Sequence, residues 1–155
     1  MKKILLLLTL LVIVTSCKTG SSTTSSTNKL AEKIIDDASR KIGAPYRFGG
    51  TTNSGYDCSG LVYTSFKKYA ISLPRTSKDM SKEGKVISKD NAKKGDLIFF
   101  KTGNSSQINH VGLIIEVTND DIKFIHSSTK SGVLVSSINE TYYRKSFAQI
   151  NRVLE

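Results

Sequence analysis

The sequence predicts an α+β fold, with N-terminal helices packed on one face of an antiparallel sheet. Apolar residues recur at helical spacing as far as Ser72. From Asp96 onward the pattern changes to period-two alternation and short apolar runs separated by polar turns. Helices first and a meander of strands afterwards make one ordinary domain of residues 29–155.

Leu30, Ile34, Ile35, Ala38 and Ile42 mark one face of a first helix, stopped at Gly43 with Pro45 just beyond. A Gly49-Gly50 pair and a polar loop lead to Tyr56. A second helix starts at Cys58 behind Asp57, a natural N-cap. Its face holds Leu61, Val62, Phe66 and Tyr69 together with Cys58, and it ends between Ala70 and Ser72. A turn at Leu73-Pro74-Arg75-Thr76 precedes a short third helix over Ser77 to Glu83, closed by Gly84. Strands are predicted at Asp96–Phe100, His110–Val117, Ile122–Ser127, Gly132–Ser136 and Phe147–Val153.

His110 and His126 do not share a face if Val117 pairs with Ile122 across a regular four-residue turn, because side chains alternate with period two. If both serve one site, the hairpin must carry an odd-length loop or a bulge.

The front of the chain reads as an export signal over residues 1–16. Lys2 and Lys3 precede an apolar run from Ile4 to Val14, which is short for a membrane span of roughly 20 residues. Val14-Thr15-Ser16-Cys17 resembles the bacterial lipobox, and that resemblance implies diacylglycerol on Cys17 and acylation of the new amino terminus. Residues 17–28 then form a lipidated flexible tether of small polar residues. The expected place is the cell envelope. It is the periplasm-facing outer membrane of a Gram-negative cell, or otherwise the outer face of the cell membrane.

The chain carries a formal net charge of +10 from 23 Lys and Arg against 13 Asp and Glu. Without Lys2 and Lys3 the count is 21 against 13, or +8. An anionic partner follows, and for an exported chain this points to envelope polymers and carboxylate-bearing peptides rather than nucleic acid. One free Cys and two His are too few for a structural metal site, and no cofactor is expected.

With Cys17 taken by lipid, Cys58 has no disulfide partner. A thiol at a helix start faces the positive end of the macrodipole, which favours the thiolate. The chain has only two histidines to act with it. The economical assignment is Cys58 as nucleophile, His110 as base in a thiolate–imidazolium pair, and His126 orienting His110 through a ring-to-ring hydrogen bond. The N–H groups of Cys58 and Ser59 are free at the helix start to stabilise an oxyanion, and Tyr46 can add a hydroxyl.

Six blocks carry a resemblance. They are Ala44-Pro45-Tyr46-Arg47-Phe48-Gly49-Gly50, Tyr56-Asp57-Cys58-Ser59-Gly60-Leu61-Val62, Leu73-Pro74-Arg75-Thr76-Ser77, Lys94-Gly95-Asp96-Leu97-Ile98-Phe99-Phe100, Asn109-His110-Val111-Gly112 and Phe124-Ile125-His126-Ser127-Ser128. In order and spacing they resemble the NlpC/P60 family, and the lipobox makes the chain similar to its small lipoprotein members. The resemblance implies a papain-like fold and a monomeric cell-wall cysteine peptidase acting on peptidoglycan stem peptides. Cys58, His110 and His126 would be catalytic. Tyr46 would point into the site, Asp57 and Ser59 would bind amino or amide groups of the stem peptide, and Arg75 would lie near the cleft rim. A non-catalytic envelope-binding lipoprotein on the same fold, or a related cysteine amidase or acyltransferase, are the alternatives.

Overall fold

A computed structural model describes residues 20–154. Helix α1 spans Gly20–Ser39. A small hairpin, β1 (Thr51–Thr52) with β2 (Gly55–Tyr56), precedes helix α2 (Cys58–Lys67) and the short α3 (Ser77–Met80). Strand β3 (Lys85–Ile87) and a 3-10 turn at Lys89–Asn91 lead to β4 (Leu97–Phe100). Then come β5 (His110–Val117), β6 (Ile122–Ser128), β7 (Gly132–Ser137), helix α4 (Thr141–Ser146) and β8 (Phe147–Arg152). Six strands form one antiparallel sheet in the order β3-β8-β4-β5-β6-β7.

The sheet is covered on both faces, which explains why Leu97 to Phe100 is a continuous apolar run. Leu97 and Phe99 join Ile34, Ala38, Leu61, Phe66, Val111, Leu113 and Ile125 in a core under α1 and α2. Ile98 and Phe100 turn the other way, to a second core with Ile114, Phe124, Ile150 and Tyr143 of α4. The α+β architecture with its N-terminal helices on one face is therefore present. Helix α4, strand β3 and the small hairpin are additions that the sequence pattern did not show. Their pieces are six residues or fewer, too short for a periodic signal.

Two expectations are corrected. Residues 20–28, expected as part of an unstructured tether, are helical. Once packing fixes the amphipathic turns beyond Leu30, each residue added to the helix gains a hydrogen bond without a new nucleation cost. Thr24, Thr27 and Asn28 also line a hollow against Lys93, Arg152 and Leu154. Ile42, assigned to the buried face, lies beyond the last helical turn and is half exposed. The predicted signal over 1–16 and the expected lipid attachment at Cys17 lie outside the described residues. Among the described residues no helix is long and apolar enough to cross a membrane.

The hairpin irregularity is present. Val117 pairs with Ile122 and Glu116 with Lys123, but Ile114 then pairs with Phe124 and Leu113 with Ile125. Ile115 is the extra residue of a β-bulge. This one-residue shift puts His110 and His126 on the same face.

Candidate active site

Asp57 starts the site. Its side chain caps α2 by accepting the Gly60 N–H at 2.6 Å. Its oxygens also accept from the Gly49 N–H at 2.9 Å, the Ser59 hydroxyl at 3.2 Å, and both terminal nitrogens of Arg75 at 2.9 and 2.7 Å. Burial pushes the Asp57 carboxyl up, but Arg75 and the Gly60 and Gly49 N–H groups hold it below the usual carboxylate range on balance. Arg75 also donates to the Ser59 hydroxyl at 2.8 Å. The turn after α2 is thereby locked to the helix start.

The glycines make this closeness possible. A Cβ on Gly60 would sit 2.0 Å from the Gly50 carbonyl oxygen, and one on Gly50 would sit 2.3 Å from that of Gly55. The Gly49-Gly50 turn thus seats directly on the first turn of α2. Tyr46 is placed by a bridge to Tyr56 and by hydrogen bonds tying Gly43 and Ala44 to Val133 of β7.

Cys58 is half-buried and unpaired. Its sulfur lies 4.0 Å from the carbonyl oxygen of Asn109 and next to the N–H of Val111, so it abuts the peptide units on both sides of His110. Asn109 is held by its own side chain, which accepts from the Thr102 N–H at 2.8 Å and donates to the Thr102 carbonyl at 3.1 Å. These bonds close the polar 103–108 loop and fix the entry to β5.

His110 Nε2 and His126 Nδ1 are 2.9 Å apart, with the rings nearly perpendicular. His126 is fully buried, and its Nε2 is 3.2 Å from the Tyr143 hydroxyl. Burial lowers His110 to about 4. Burial, with His110 beside it, lowers His126 to about 3. Burial also pushes the Cys58 thiol up, and the Asp57 carboxylate adds to that, against the N–H groups of Val111, Ser59 and Cys58. The expected resting thiolate is therefore corrected. Desolvation of the sulfur outweighs the dipole of a helix only ten residues long whose cap carries a negative charge. Burial therefore favours the neutral thiol and the neutral imidazoles at rest.

Tyr46, Asp57, Cys58, Ser59, Arg75 and Asn109 line one cleft of about 360 Å³, with Phe48 90% exposed beside it. Burial raises the Tyr46 phenol, and Cys58 and then Asp57 raise it further, as their proximity requires. The structure therefore gathers the sequence-predicted residues in two adjoining sets, the cleft and the imidazole pair. Both oxygens of Asp57 already accept from protein donors, and through them it holds the helix start. Tyr143 was missed, because its reach to His126 depends on a second core that no spacing reveals.

A model of the NlpC/P60 family matches residues 43–152. The chain belongs to the NlpC/P60 family. It is 38% identical over 126 residues to the murein DD-endopeptidase MepS/murein LD-carboxypeptidase of Escherichia coli K12, covering 81% of this chain and 64% of that protein. The chain thus spans somewhat under two thirds of that relative's length. It is 44% identical over 112 residues to the probable endopeptidase NlpC of the same organism, covering 72% of this chain and 70% of that one. A solved NlpC/P60 family protein from Bacillus cereus superposes with a TM-score of 0.74 at 31% identity, covering 81% of this chain and 40% of its own. The papain-like α+β fold follows from these likenesses.

Proposed function

We propose that this NlpC/P60 chain is a lipid-anchored cysteine peptidase that hydrolyses amide bonds in peptidoglycan stem peptides or cross-links. The reading is supported by Cys58 at the start of α2, with its sulfur against the backbone on both sides of His110, and by the bonded imidazoles of His110 and His126. The MepS relative, named for murein endopeptidase and carboxypeptidase activities, gives the substrate class.

The thiol of Cys58 gives its proton to Nδ1 of His110, the ring nitrogen that does not face His126. The sulfur forms a bond to the amide carbonyl carbon, and the carbonyl π pair moves to oxygen. The N–H groups of Cys58 and Ser59, both close to the sulfur, receive the oxyanion, and the Tyr46 hydroxyl supports it. On collapse the C–N bond breaks and His110 returns the proton to the leaving amine. Water then attacks the thioester carbonyl, giving a proton to His110; the C–S bond breaks, His110 passes that proton to the sulfur, and the acid product leaves and loses its own proton to solvent as carboxylate. Ser59, Arg75 and the exposed Phe48 line this cleft and would contact the peptide along it. The high positive charge of the chain suits an anionic wall.

The experiment is digestion of purified wall by the full chain in detergent beside its Cys58→Ala variant. The unaltered chain releases muropeptides and the variant does not; matching product profiles from the two would sink the reading. The anchor has its own check. Cys17→Ser should move the protein from the membrane to the soluble fraction, and unchanged fractionation would remove the lipid.

A further inference from the structure

Tyr143 lies in α4, on the sheet face opposite α1 and α2, and is nearly buried. Its ring packs against Phe100, Phe124 and His126 at centroid distances of 5.2, 5.1 and 5.2 Å, contacts that a phenylalanine would make equally well. What the hydroxyl adds is polar. It sits 3.2 Å from His126 Nε2, and the buried Ser136 side chain lies close enough to act on it. A buried hydroxyl is costly unless it is bonded, so both partners matter.

The chain of bonds has a direction. For His110 to take a proton at Nδ1, its Nε2 must carry hydrogen and donate to His126 Nδ1. His126 must then be the Nε2–H tautomer, and that N–H needs an acceptor in a closed apolar core. The Tyr143 oxygen is the acceptor in reach, provided its own hydrogen points to Ser136. If instead Tyr143 donates to His126, Nδ1–H of His126 faces His110 and drives the proton of His110 onto the nitrogen meant to receive the thiol's.

We propose that Tyr143, held by Ser136, is a positioning residue that fixes His126 as the Nε2–H tautomer and so keeps His110 in the proton-accepting form. The proposal rests on the peptidase reading for its kinetic consequence. It touches neither substrate nor sulfur, so it acts only through the two imidazoles.

Tyr143→Phe in the full chain tests it, with Ser136→Ala as a second variant that leaves every ring in place. In Tyr143→Phe, kcat falls about tenfold, as for other groups that orient a working imidazole, while KM stays within about twofold. Imidazole 15N NMR then shows the His126 proton moved from Nε2 to Nδ1, and Ser136→Ala moves it the same way. An unchanged kcat overturns the proposal, and so does a lowered kcat with the tautomer unmoved. If Cys58→Ala hydrolyses wall as fast as the unaltered chain, the peptidase reading falls. The NMR comparison alone then decides the role of Tyr143.

Discussion

The carboxylate of Asp57 carries more of the local structure than the sulfur beside it. It satisfies the helix start, holds the Gly49 N–H, and neutralises Arg75 where that side chain is only about one third exposed. Asp57→Ala removes the cap and strands the guanidinium. The expected loss is about 2–3 kcal/mol, from a cap worth about 1 and a partly screened ion pair worth the rest. Urea denaturation measures it, and a loss below about 0.5 kcal/mol, the level of an ordinary surface change, would refute the bracing role. Cys58 itself is a small, partly buried part of the core.

At the scale of elements, two contacts place Cys58 and the two imidazoles. Seating of α2 on the Gly49-Gly50 turn sets the position of Cys58 along the sheet. The bulge at Ile115 sets the face on which His110 stands relative to His126. Deleting Ile115 makes the ladder regular, with Glu116 still opposite Lys123 and Val117 opposite Ile122, and both imidazoles keep their shared face. The deletion is therefore expected to preserve hydrolysis while lowering stability, because the Ile115 side chain leaves the core beneath the helices. Loss of activity in a folded deletion variant would show that the face is not what matters. The period-two argument had already required an irregularity between the two histidines. It could not distinguish a bulge from an odd-length loop, since both change parity by one.

Over the whole molecule, the buried imidazoles make stability depend on pH. His126 titrates near 3 when folded and near 6.5 when unfolded. Between these values the unfolded chain binds the extra proton, so stability is complete above about pH 6.5 and is lost as pH falls. For His126 the loss by pH 5 is about 2 kcal/mol, and His110 adds in the same direction. Urea midpoints at pH 7 and pH 5 measure it; equal midpoints would mean the rings are not held neutral. The amphipathic spacing of residues 30–69, the alternation in the strands, and the placing of Cys58 behind an N-cap are local properties of the chain, and the sequence by itself determined them. The neutral resting state of the thiol, the saturation of Asp57, the helical turns over residues 20–28 and the reach of Tyr143 to His126 were decided only by tertiary structure. Each depends on how deeply a group is desolvated, or on which distant segment covers it, and neither quantity is written in the spacing of residues.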